Sequence, residues 1–148
     1  MHSDLNIKRS HTMTIFQQGS FLRRVLLADA LISAATGLLM AGGAALLAGL
    51  LGLPEPLLRG AGLALLPYGA FVAFVATRPQ LSAAAVWAVI ALNALWALDS
   101  VALLLTGWVA PSALGYGFVL LQAAVVGVFA ELEFLGLRGL RGSAPKAA

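Results

Sequence analysis

Four long apolar stretches divide the chain, at about residues 22–53, 57–77, 82–109 and 111–137, separated by short breaks. Each is longer than the roughly 20 residues with which a helix crosses about 30 Å of hydrocarbon. None alternates polar and apolar positions over about 10 residues, as a barrel strand would. An open sheet would leave unpaired backbone groups in lipid, a cost only helices and closed barrels escape. The pattern predicts an all-α polytopic membrane protein, an antiparallel four-transmembrane-helix bundle over residues 21–138. It lies between a polar amino-terminal tail, 1–20, and a carboxy-terminal tail, 139–148.

The breaks carry their own signals. Pro54, Glu55 and Pro56 end the first stretch, because proline lacks a backbone donor and restricts the residue before it. Arg78, Pro79 and Gln80 separate the second from the third, and Gly107 to Pro111 turn the chain into the fourth, with Pro111 suited to its first helical position. Loops this short make consecutive helices antiparallel neighbours. The first stretch is too long for one upright span. It either tilts or stops near Gly42 and Gly43, leaving 46–53 at the outer interface.

Composition agrees: 61% of the 148 residues are hydrophobic and 10% charged, with a mean hydropathy of +0.95. A soluble domain carries about 25% charged residues, so this surface is built for lipid. The net charge of +3 does not point to nucleic acid, since the basic residues flank apolar stretches instead of forming a patch. With the amino terminus inside, Lys8, Arg9, Arg23, Arg24, Arg78, Arg138, Arg141 and Lys146 are cytoplasmic and Arg59 is outside. That distribution predicts a multi-pass protein of the bacterial cytoplasmic membrane with both termini cytoplasmic. The apolar run after residue 25 far exceeds the core of a signal peptide. Met13 is a second candidate start, with 1–12 as an upstream extension.

Ionisable residues inside a bilayer are expensive, so they are the first candidates for function. An inner charged layer is expected from Asp29, Glu131 and Glu133 with Arg23, Arg24 and Arg138. It reads either as carboxylate–arginine pairs that pin helix ends or as a proton or cation site on Asp29 or Glu131. Glu131 and Glu133 are about 200° apart on a helix, so one faces the bundle and the other the headgroups or a partner. Further out lie Asn93, Asp99, Ser100 and Gln122, a candidate polar intramembrane site. By helical rise Asp99 and Gln122 are placed to meet, with only Arg59 able to reach Asp99 as a basic partner. These residues read either as interhelical hydrogen bonds or, through Asp99, as a functional site.

Small residues recur on the first helix at Ala30, Ser33, Ala34, Gly37, Ala41 and Ala45, and on the second at Gly60, Gly62 and Gly69. Such stripes let backbones approach, within the chain or along a homo-oligomer seam. Pro67 frees the carbonyl of Leu63 beside Tyr68, which predicts a kink. There is no cysteine, the two histidines, His2 and His11, are in the tail, and no phosphate loop, HExxH or Ser/His/Asp set occurs. No catalytic residue, metal site or cofactor is therefore expected.

The runs FLRRVLLADALISAATGLL, LLRGAGLALLPYGAFVA and WAVIALNALWALDSVALLLTGWVAP resemble an uncharacterised family of small bacterial four-helix integral membrane proteins over roughly residues 21–138. The resemblance implies a fold and no activity. Two functions follow as expectations. The first is a non-enzymatic inner-membrane protein acting through helix packing, as an accessory or assembly partner in a larger complex or as a homo-oligomer. The alternative is a proton- or cation-coupled small-solute carrier, or an oligomeric channel, using Asp99, Asn93 and Gln122.

Overall fold

The computed structural model describes residues 2–142; Lys146 and the rest of the 143–148 tail lie outside them. Among the described residues the chain is helical, with no strand. The elements are α1 (His2–Gly42), α2 (Ala44–Leu51), α3 (Glu55–Thr77), α4 (Ala83–Leu105) and α5 (Ala113–Gly142). Four segments are long and apolar enough to cross a membrane: Gln17–Gly42 of α1, and α3, α4 and α5.

The long first stretch does not tilt as one rod. It ends at Gly42, and α2 follows after Gly43, whose N–H still donates to the Leu39 carbonyl at 2.8 Å. Gly52 closes α2 in the left-handed conformation at φ 65°, a geometry glycine adopts without the Cβ penalty. The freed carbonyls of α2 then find partners on the start of α5. Ser112 donates its N–H to Leu51 at 2.8 Å and its hydroxyl to Leu50 at 2.8 Å. The same hydroxyl accepts from the Gly115 N–H at 3.1 Å. Ser112 is thus the cap, and α5 begins at Ala113 instead of placing Pro111 in its first turn.

The expected tail 1–20 is part of α1, which is continuous from His2, so the helix extends well past the other spans. Near its emergence Gly19 meets Leu140 and Gln18 meets Gly139 of α5. The two longest helices therefore leave the bundle side by side. Arg23 does not pair with a carboxylate. Its guanidinium donates to the carbonyls of Ala76, Arg78 (2.7 Å) and Pro79 (3.4 Å), satisfying the orphan carbonyls at the end of α3.

Packing is driven by the small-residue stripe. On α1 the buried positions Leu22, Leu26, Ala30, Ser33, Gly37 and Met40 recur every three or four residues and face α3 and α5. Gly37, Gly62 and Gly69 set the α1–α3 distance. A Cβ on Gly62 would stand 2.5 Å from the Ala41 nitrogen, and one on Gly69 3.1 Å from the Ala30 carbonyl oxygen. Most of the stripe is therefore spent inside the chain, with Ala45 and Gly60 left exposed. Helix α3 continues unbroken through Pro67.

Two apolar layers result. One joins Leu22, Leu26, Val72, Val75, Val86, Val89 and Leu137 at the α3–α4 loop end. The other joins Met40, Ala44, Leu51, Leu58, Leu65 and Val119 at the α2 end. The buried positions of helix α4 are Val86, Val89, Ile90 and Asn93; further along, Trp96, Leu103 and Leu104 pack half-buried against the second layer, and α4 lies mainly on α5 with little contact to α3.

Candidate functional site

Between the two apolar layers lies a polar one, contributed by all four spanning helices. Asp29 comes from α1, Tyr68 from α3, Asn93 from α4 and Glu133 from α5, with Ser33 one turn along from Asp29. Asp29 and Glu133 are fully buried, and Asn93 and Ser33 nearly so. The Asn93 amide nitrogen donates to Asp29 Oδ2 at 2.9 Å and to Glu133 Oε2 at 3.3 Å, joining the two carboxylates. Tyr68 donates its hydroxyl to Asp29 Oδ2 at 2.8 Å, and Ser33 donates to Asp29 Oδ1 at 3.1 Å. The distribution is uneven. Asp29 collects three donors, whereas Glu133 Oε1 is buried with no hydrogen-bond partner among the described residues.

Depth sharpens the contrast. By helical rise Asp29 is about 9 Å from Arg23, whose guanidinium caps the end of α3, so it sits inside the bundle towards the α3–α4 loop end. Asp29 bonds to no arginine among the described residues. Nor does the expected layer of carboxylate–arginine pairs form. Arg23 caps α3, Arg138 stacks on Phe134 at 5.7 Å, and Arg24 points away exposed. The pair of glutamates divides as the helical angle requires, with Glu133 in the core and Glu131 on the outside. The inward member is the one not favoured as a proton or cation site.

The outer candidates do not gather into one site. Gln122 donates to the Met40 sulfur at 3.3 Å instead of meeting Asp99. Ser100 donates to the Trp96 carbonyl of its own helix at 2.7 Å. Arg59 pairs with Glu55 one turn away and does not reach inward. Asp99 makes no hydrogen bond or ion pair among the described residues and is exposed along α4. Asn93, expected beside Asp99, instead belongs to the carboxylate pair.

Cavities fill the space that α4 leaves. One of about 340 Å³ lies between α3 and α4 and is lined by Ser33, Tyr68, Asn93, Trp96 and Asp99. A second, of about 510 Å³, continues towards the α2 end past Asp99, Ser100 and Gln122. A third, of about 230 Å³, sits between α1 and α5. Trp96 borders all three.

The signal for Asp29, Asn93 and Glu133 was present in the sequence as polar residues in apolar stretches. Tyr68 and Ser33 were visible only as a neighbour of Pro67 and a member of the small-residue stripe. Among the described residues no group of three or more His, Cys, Asp or Glu is placed to hold a metal ion. No protein family, curated protein or solved structure matches the chain at a significant level.

Proposed function

We propose that this chain is a non-enzymatic, proton-coupled small-solute carrier of the bacterial cytoplasmic membrane, with Asp29 and Glu133 as its proton-binding pair. The observation that carries the reading is one amide, Asn93, bridging two fully buried carboxylates, one of which has an oxygen without a donor. Magnitudes favour function over scaffolding. An acid at the centre of a spanning helix costs about 2.5–3.5 kcal/mol to insert. The four hydrogen bonds of the cluster return about 0.6 kcal/mol each on average in a membrane, less than two acids cost. Valine or leucine at both positions would pack the same space more stably.

In this reading the donors hold Asp29 as the accepting carboxylate, and Glu133 Oε1 is where a proton is taken up and released. The other titratable group facing the pair is Tyr68 of α3. Helix α4 contributes Asn93, with Asp99 nearly two turns further along, and no Lys, Arg or His among the described residues bonds to either acid. The concentration of Lys and Arg at the α3–α4 loop end supports cytoplasmic termini. An assembly role through the small-residue stripe has less support, because most of that stripe is used between α1 and α3.

Purified protein in liposomes under an imposed pH gradient tests the reading. Wild type is expected to take up protons in the presence of a transported solute, and Glu133→Gln or Asp29→Asn to abolish uptake while remaining folded. Uptake unchanged in both variants overturns it.

A further inference from the structure

The groove between α3 and α4 has a chemistry distinct from the carboxylate pair behind it. Its rim is formed by large apolar side chains that are also exposed, Phe71, Leu92 and Leu95. In a spanning bundle that rim opens sideways into lipid, since α4 packs mainly on α5 and makes little contact with α3. Inside, the two cavities meet at Ala64, Trp96 and Asp99. Their volumes of about 340 and 510 Å³ are within the usual range for small organic ligands.

Asp99 is the discordant residue. It lies about 9 Å by helical rise from the end of α4 at Leu105. It faces the groove with no donor or cation among the described residues. Arg59, the basic residue on the adjoining helix, is engaged with Glu55. One uncompensated carboxylate in an apolar, aromatic-walled slot is complementary to a single positive charge on an apolar body. A dehydrated metal ion does not fit, because hard cations need several oxygen ligands and the nearby Ser100 hydroxyl is spent on its own helix. An organic cation needs one counter-charge, and the indole face of Trp96 adds attraction of its own.

We infer that this groove binds a lipophilic monovalent organic cation that enters sideways from the bilayer, with Asp99 as counter-ion and Trp96 as aromatic wall. The inference rests on the carrier reading and supplies its solute. The inner end of the slot is bounded by Ser33, Tyr68 and Asn93, the three residues that donate to Asp29 and, for Asn93, to Glu133 as well. A cation in the slot therefore lies against the donors that hold the proton-binding pair, a direct route for occupancy of one site to disturb the other.

The test uses the full chain in lipid nanodiscs with Trp87→Phe and Trp108→Phe, so that Trp96 is the sole indole fluorophore. Benzyltrimethylammonium is titrated against its uncharged isostere neopentylbenzene, with concentrations referred to the lipid phase. The cation is expected to shift Trp96 emission saturably and the neutral isostere to do so at least about tenfold more weakly. Asp99→Asn should weaken cation binding by about tenfold or more, and Asp99→Glu should retain it. Equal binding of the neutral isostere, or cation binding unchanged in Asp99→Asn, overturns the inference. Asp99-dependent binding without proton uptake would leave the inference standing and defeat the carrier reading instead.

Discussion

Asn93 donates one amide group to two acids, so replacing it is more costly than its own hydrogen bonds suggest. In Asn93→Leu the carboxylates lose their shared donor while staying buried, a penalty of about 1–3 kcal/mol for an unsatisfied polar group. Thermal unfolding in detergent should show a lower Tm. Glu133→Gln should behave in the opposite way. Its amide can donate towards Asp29, and one buried acid is removed, so Tm is expected to hold or rise while proton uptake is lost. A carboxylate kept for packing alone would give parallel losses in both measurements. The members of the cluster were partly legible in the sequence. Asp29, Asn93 and Glu133 stand out because acids and amides are rare in apolar stretches. Tyr68 did not, since a tyrosine in a spanning helix is equally at home at an interface or in a core.

Helices α1 and α3 are held by glycine contacts close enough to give paired predictions. A side chain at Gly62 would run into the backbone of α1 at Ala41 and Met40, whereas Gly60, two residues away, has nothing within 4 Å. Gly62→Val should push the helices apart and cost about 1–3 kcal/mol in unfolding experiments, as overpacking does. Gly60→Ala should be neutral or stabilising by up to about 1 kcal/mol through helix propensity. Equal effects at the two sites would count against this register of α1 on α3. A Cβ at Gly115 would overlap the Leu51 carbonyl oxygen, so Gly115→Ala should free α2 from α5. Faster amide exchange at the Ser112 N–H that bonds Leu51 would report it. The small-residue spacing announced these close approaches in the sequence, but not which helix would use them.

At the scale of the molecule, two apolar layers enclose the polar layer, and the four spans run between two ends of unequal charge. The chain has no cysteine, so single cysteines report topology without background. Cysteines replacing Lys8 and Arg141 should react with an impermeant maleimide from one side of the membrane, and one replacing Arg59 from the other. Labelling of all three from the same side would rule out the single crossing by α1 between positions 8 and 59 and, with it, an odd number of the three that follow. The sequence by itself determined that four segments are apolar and long enough to span, because hydropathy and length are local properties and lipid forces each backbone to satisfy itself. It also marked the turns, through proline and glycine. It could not determine which polar side chains meet. That depends on how each helix is rotated and how far it extends, and these are set by contacts between helices distant in sequence. The rotation of α1 brought Asp29 to Asn93, which also bonds Glu133, and the gap between α3 and α4 left Asp99 alone in a groove. Only tertiary packing could make one acid part of a buried pair and leave the other facing lipid.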